Sequence, residues 1–189
     1  MKALEEKILK EGRIRDGNIL QVDNFLNHQI DAAFLIEMGK EIARLYKDAG
    51  VTKVLTIEAS GIAIALAAAA EMKVPMLFAK KHKTKNINPN QYKTVVHSFT
   101  HGTDYDVVVS RDYLNEDDVV LIVDDFLANG NALKGLIDLT NQAGGTVAGC
   151  AIAIEKGFQG GGDALRAEGI RVESMAILDA MEDGHIRFR

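Results

Sequence analysis

The sequence predicts an α/β chain: a central parallel sheet with helices on both faces. Short apolar runs alternate along it with segments whose apolar residues recur every three or four positions. The runs, among them Val119-Val120-Leu121-Ile122-Val123, are apolar almost throughout, as strands are when both faces of a sheet are covered. Strand and helix take turns, an order that favours parallel pairing through crossover helices.

Leu4, Ile8 and Leu9 mark a short amphipathic helix that ends near Gly12. Ile14 to Val22 is extended, with a turn at Asp16-Gly17-Asn18. Asn27 or Asp31 caps a long helix whose apolar positions Ile30, Phe34, Leu35, Met38, Ile42 and Leu45 keep helical spacing until Gly50 closes it. Val51 to Ile57 is a strand, and Glu58-Ala59-Ser60-Gly61 leads from it into an alanine-rich helix reaching about Met72. Val74 to Ala79 is the next strand. From Lys80 to Arg111 helical period is lost: Tyr92 to Phe99 and Asp104 to Ser110 form a hairpin around Thr100-His101-Gly102-Thr103, preceded by the polar, mobile stretch Lys83 to Gln91. Val119 to Val123 is a strand, followed by a loop and a helix with Leu133, Leu136 and Ile137 on one face. After the turn Ala143-Gly144-Gly145 come two more strands, Thr146 to Ile154 and Ile170 to Leu178.

With 189 residues the chain fits one domain with a core of useful size. Its net charge of -5 argues against a nucleic-acid partner, which wants a basic face. Cys150 is the single cysteine, so neither an intrachain disulfide nor a cysteine metal cage can form, and its apolar neighbours mark it as a buried small hydrophobe. The N-terminal segment alternates charged and apolar residues and lacks the apolar core of a signal peptide. The apolar run Ile62 to Ala70 is cut short by Glu71, well below the length of a membrane span. The expected setting is cytoplasmic, away from membranes.

Open parallel sheets bind ligands beyond the carboxyl ends of their strands, so the strand exits are where chemistry is expected. After Val119–Val123 come Asp124 and Asp125, whose adjacent carboxylates call for hydroxyl donors or a cation. Ala128, Asn129, Gly130, Asn131 and Ala132 then open a helix with small residues, where free backbone N–H groups and the helix dipole favour an anion. Acids for hydroxyls and N–H groups for phosphate together make a cradle for a sugar phosphate. No dinucleotide fingerprint occurs, and Leu136 stands where a Walker loop needs lysine. A second exit, Glu58-Ala59-Ser60-Gly61, suits another anion such as pyrophosphate. A third, Lys80-Lys81-His82-Lys83-Thr84-Lys85, places lysines after a strand tip, where Lys80 or Lys81 can neutralise substrate.

Val119 to Leu133 resembles the phosphoribosyl pyrophosphate (PRPP) motif of the type I phosphoribosyltransferase family. It has four or more apolar residues, two acids and a small-residue loop. Asn129 departs from the pattern, standing where threonine is common; asparagine keeps a polar group and tolerates turn dihedrals. Glu58–Gly61 is similar in position to the family's pyrophosphate loop, and the hairpin after Lys80 to its mobile catalytic loop. Gly17-Asn18-Ile19-Leu20-Gln21-Val22-Asp23-Asn24-Phe25-Leu26-Asn27-His28-Gln29 and Ile154-Glu155-Lys156-Gly157-Phe158-Gln159-Gly160-Gly161 resemble the bacterial members that use xanthine. The resemblance covers essentially the whole chain. It implies one type I phosphoribosyltransferase domain over 1–189: a core of about 31–154, a small hood from about 1–30 and 155–189, and a flexible β-hairpin loop. It further implies that Ala128 to Ala132 hold PRPP, that Leu20, Asn27 and Lys156 hold xanthine, and that Asp124 and Asp125 serve the ribose and transition state. Ala59, Ser60, Gly61 and Lys81 would hold pyrophosphate. Magnesium would arrive with PRPP, no metal being held by protein ligands alone. The chain would act as a homodimer in purine salvage, making xanthosine 5'-monophosphate.

The residue chemistry agrees. Lys156 offers donors alone, which suits an oxo group and not the amino group of adenine; Asn27 can donate to a second oxygen, and Leu20 can lie against the ring. Two other readings stay open. One is the same reaction with guanine, hypoxanthine or adenine. The other is a PRPP-binding purine regulator, which would need a DNA-binding module where only a short helix and strand precede Leu20.

Overall fold

The computed structural model describes residues 1–15, 19–82, 89–98, 103–182 and 185–189. Two sheets are present: a two-stranded ribbon near the N-terminus and a mixed sheet of eight strands. In chain order the elements are α1 (Lys2–Glu11), β1 (Arg13–Arg15), β2 (Ile19–Gln21), a π-type turn (Asp23–Asn27), α2 (Ala32–Leu45), β3 (Lys53–Ile57), α3 (Gly61–Met72), β4 (Met76–His82), β5 (Gln91–Ser98), β6 (Thr103–Ser110), β7 (Val119–Leu127), α4 (Asn131–Gln142), β8 (Thr146–Lys156), a 3₁₀ turn (Gly157–Gln159), α5 (Gly161–Ala167), β9 (Val172–Glu182) and β10 (His185–Phe188).

The large sheet runs β10-β9-β8-β7-β3-β4-β6-β5. Its centre, from β9 across to β4, is parallel as expected; β10 on one edge and the β6–β5 hairpin on the other add antiparallel strands. Alternate residues of the central strands feed two cores. Val54, Leu121, Val123, Ala151 and Ala153 join α1, α2 and α3 on one face. Leu55, Val120, Ile122, Cys150 and Ile152 join α4 on the other. Burial on both faces is why these strands carry apolar residues at successive positions.

Asp31, not Asn27, caps α2: its side chain accepts from the Phe34 N–H at 3.1 Å. Asn27 instead ends the π-type turn, a feature with no local sequence signal. β1 and β2 pair as a ribbon, Arg13↔Gln21 to Arg15↔Ile19. The turn expected at Asp16-Gly17-Asn18 lies outside the described residues, as do most of the stretch Lys83 to Gln91 and the tip of the hairpin from Phe99 to Gly102. The hairpin is present with its ladder from Gln91↔Ser110 to Ser98↔Thr103. Cys150 is buried, and burial, with Asp124 nearby, pushes its thiol up to about 12. Among the described residues no helix is long and apolar enough to cross a membrane.

Candidate active site

Strand β7 carries the first functional groups. It stops pairing with β3 at Leu55↔Ile122, but its pairing with β8 runs on through Asp124↔Ile152 to Leu127↔Glu155. The strand therefore does not end at Val123. Asp124 and Asp125 lie within it, 5 % and 7 % exposed, because one paired edge extends the strand while the other opens toward α3. Asp124 Oδ1 accepts the Asp125 N–H at 3.0 Å. Burial first, and the Asp125 charge second, hold the Asp124 carboxyl well above the usual carboxylate range, against the pull of Lys81. Asn27 Nδ2 donates to Asp125 Oδ2 at 3.3 Å, so a residue expected at the base and one expected at the ribose touch across the chain. This turns the amide donor onto Asp125 and leaves Asn27 Oδ1 buried, with no partner among the described residues.

Past Leu127 the chain enters the small-residue loop. Gly130 takes φ +86° and α4 starts with no side-chain cap, leaving its first N–H groups to a ligand. Ala128 to Leu133 line a cavity of about 190 Å³, together with Val96, His97, Tyr105, Phe126 and Leu127. The loop has a firm backing. Gly161 N–H donates to Ala128 O at 3.2 Å, and a Cβ on Gly161 would stand 2.2 Å from that same oxygen. Strand β5 rests on α4, where Asn131 Nδ2 donates to His97 O at 3.2 Å and Gln142 Nε2 to Lys93 O at 2.9 Å.

The loop expected to take a second anion leaves β3 at Glu58, with a cis peptide between Glu58 and Ala59. Where the β3 backbone departs, the Glu58 side chain takes over its rung: Oε1 accepts the Lys81 N–H at 2.6 Å. Ala59 and Ser60 are exposed. Ser60 makes no capping bond, so it is not an ordinary helix cap. Gly61 lies where a Cβ would be 2.2 Å from Thr56 Oγ1 and 2.8 Å from Asp124 Oδ1, so glycine lets the loop rest against the acid.

Lys80 and Lys81 do not follow a strand tip. β4 continues to His82 and pairs antiparallel with β6, Lys80↔Val108 to His82↔Asp106. Their side chains diverge: Lys80 Nζ sits 5.9 Å over the Phe78 ring, and Lys81 Nζ 5.3 Å over the Tyr105 ring. Lys81 is the one whose charge reaches Asp124.

Lys156 ends β8, half-buried, with Nζ 5.8 Å over the Phe126 ring; burial pulls its ammonium below the ordinary lysine value. Behind it Glu155 is fully buried, held by both guanidinium arms of Arg166 at 2.9 and 2.7 Å and by the Ser174 hydroxyl. Leu20 is 5 % exposed and belongs to the core beneath α1 and α2. The fold thus joins Asn27, Asp125, Asp124, Gly61 and Lys81 in one group, and the 128–132 loop, Phe126 and Lys156 beside it. Sequence reasoning missed Thr56 and Tyr105, and it placed Gly161 in the Ile154–Gly161 segment without foreseeing its packing on the 128–132 loop. Tyr105 and Gly161 reach the site from distant elements without a local pattern; a threonine inside an apolar strand is the one visible signal for Thr56.

The Phosphoribosyl transferase domain family matches residues 21–163. The xanthine phosphoribosyltransferase of Bifidobacterium adolescentis is 53 % identical over 192 residues, covering 100 % of both chains. That of Oceanobacillus iheyensis is 47 % identical, covering 100 % of this chain and 97 % of its own. Among solved structures, the adenine phosphoribosyltransferase of Rhodothermus marinus superposes with a TM-score of 0.74 at 22 % identity, covering 94 % of this chain and 100 % of that one, a likeness of fold.

Proposed function

The chain belongs to the phosphoribosyltransferase family, and from that premise we propose that it transfers the 5-phosphoribosyl group of PRPP to xanthine. The products are xanthosine 5'-monophosphate and pyrophosphate, a purine-salvage reaction. The choice of xanthine is supported by relatives of that name about half identical over the full chain. The observation that carries the geometry is the Asn27–Asp125 hydrogen bond, which ties a base-binding amide to the acid pair ahead of the phosphate loop.

A purine nitrogen attacks C1 of the ribose as the C1–O bond to pyrophosphate breaks; the electron pair leaves with pyrophosphate, and the proton of the nitrogen passes to the departing pyrophosphate or to solvent. Positive character develops on the ribose, and the protein contributes placement and electrostatics. Asp125, and Asp124 once ionised, favour that charge and accept from ribose hydroxyls. The 5'-phosphate lies on the N–H groups of Ala128 to Ala132. Ala59 to Gly61 hold the leaving pyrophosphate, with Lys81 beside it. Magnesium carried in with PRPP would supply positive charge to offset the leaving pyrophosphate, beside Lys81. Lys156 donates to one oxo group of the base, and the second hydrogen of Asn27 Nδ2, beside the one given to Asp125, donates to another. The active form we propose is a cytoplasmic homodimer. Ile36 on α2 and Leu66 on α3, 54 % and 57 % exposed, are apolar side chains that a subunit interface would cover.

The test is pyrophosphate release from PRPP and magnesium, with xanthine, guanine, hypoxanthine and adenine in parallel. Preference for xanthine supports the assignment. Preference for another base would overturn the roles given to Lys156 and Asn27 while keeping the reaction.

A further inference from the structure

We propose that Thr56 is a positioning residue for the transfer: its hydroxyl is the donor that Asp124 takes up when its carboxylate is charged. Thr56 lies in β3 opposite Phe78 and is 0 % exposed. Its Oγ1 has no hydrogen-bond partner among the described residues. A buried hydroxyl left unmade is costly, and valine would fill the same space without that cost. The hydroxyl has a destination. Thr56 Oγ1 and Asp124 Oδ1 both lie close to one point, 2.2 Å and 2.8 Å from the place a Cβ on Gly61 would occupy. With glycine there, no side chain is placed at that point, the two oxygens lie within about 5 Å of each other, and a turn about the Thr56 side chain is the movement that would bring the O–H to the carboxylate.

A neutral Asp124 has little need of that donor. An ionised one, 5 % exposed, has the Asp125 N–H and needs more. The groups that face it are Asp125 from its own strand, Lys81 from β4, Tyr105 from β6 and Cys150 from β8. Asp125 opposes its ionisation. Lys81 favours it from above the Tyr105 ring. Tyr105 and Cys150 stay neutral, their own acidities weakened by burial and by Asp124. Thr56 is the neutral donor from β3 that completes this shell. It makes the charge available when the ribose develops its own, and so deepens the reaction proposed above, on which its kinetic consequence rests.

Two readouts test it, one of them independent of turnover. The Asp124 carboxyl is titrated by carbon-13 NMR in the wild type, Thr56→Val and Thr56→Ser. Valine is expected to raise the Asp124 midpoint by about one pH unit, a tenfold change in ionisation. In the assay, kcat of Thr56→Val falls about tenfold and the acid limb of its pH profile moves up by the same unit, with serine recovering most of the loss. The melting temperature of the valine variant does not fall, because a merely structural hydroxyl with no partner contributes nothing to lose. An Asp124 midpoint equal in wild type and valine variant overturns the proposal. A wild type inert with every base would overturn the reaction instead, and the titration would still decide Thr56.

Discussion

Gly161 backs the 128–132 loop, proposed to hold the 5'-phosphate, so closely that adding one methyl group should injure PRPP binding selectively. A Cβ there would meet Ala128 O at 2.2 Å, the Asn129 carbonyl carbon at 2.6 Å and the Gly130 nitrogen at 2.8 Å. All three are backbone atoms and none can swing aside. Restoring ordinary van der Waals contact requires α5 and the loop to part by about 1 Å, which also stretches the 3.2 Å bond from Gly161 N–H to Ala128 O. Overpacking of this kind costs about 1–3 kcal/mol, and a 1 Å misplacement of binding groups costs about a hundredfold in rate. Gly161→Ala is therefore expected to raise KM for PRPP by about ten- to a hundredfold, with a smaller effect on KM for xanthine. Gly160 is the control. It has φ +74° and nothing within 4 Å of its would-be Cβ, so Gly160→Ala meets only backbone strain of about 1 kcal/mol. Initial rates with PRPP varied at saturating xanthine, alongside thermal melts, separate binding from folding. A folded Gly161→Ala enzyme with wild-type KM for PRPP would refute the reasoning, as would equal loss in both variants.

Asp125→Asn is expected to lower turnover by about tenfold or more through loss of transition-state charge stabilisation; near-normal kcat would remove Asp125 from that role. Lys156→Ala should raise KM for xanthine while leaving KM for PRPP close to wild type, and equal loss in both would make Lys156 a structural residue. Arg166→Met leaves Glu155, 1 % exposed in its side chain, without its ion partner and should cost about 3 kcal/mol in urea melts at pH 7. Burial pushes the Glu155 carboxyl up, but Arg166 and Ser174 outweigh it and the net shift is downward. In the wild type the pair's stabilisation is thus present above the unfolded carboxylate value near pH ~4.3 and is lost as pH falls through the lower folded value. In Arg166→Met burial acts unopposed by Arg166, so the deficit should shrink toward pH 4; a deficit unchanged between pH 7 and pH 4 would show that the ion pair is not its source.

The strands and helices were legible where both faces are apolar, because burial on two sides leaves an uninterrupted run. Boundaries failed where charge enters a strand. Asp124 and Asp125 look like an ending, yet β7 persists to Leu127 because β8 supplies a complete ladder on one side. Lys80 and Lys81 look like a loop, yet β6 pairs with them and their side chains leave the sheet over different rings. The loop at 128–132 was legible as an uncapped helix start, since small residues and a glycine ahead of a helix are local chemistry. The Asn27–Asp125 contact was not, because a hydrogen bond between residues 98 apart in sequence is set by tertiary packing. The buttress at Gly161 was hidden for the same reason: a glycine's missing side chain gives no sign of what lies against it.

The lysine pair in β4 has a consequence for how this gene segment tolerates length changes. A β-strand repeats every two residues, so one residue gained or lost exchanges its faces. One residue inserted after Ala79 would move Lys80 into the register now held by Lys81, opposite Val107, and an ammonium would still reach toward Asp124. One residue deleted there would bring His82 to that register instead. The doublet gives the strand a spare cation in one direction of slippage and none in the other, an asymmetry between insertions and deletions written into two adjacent codons.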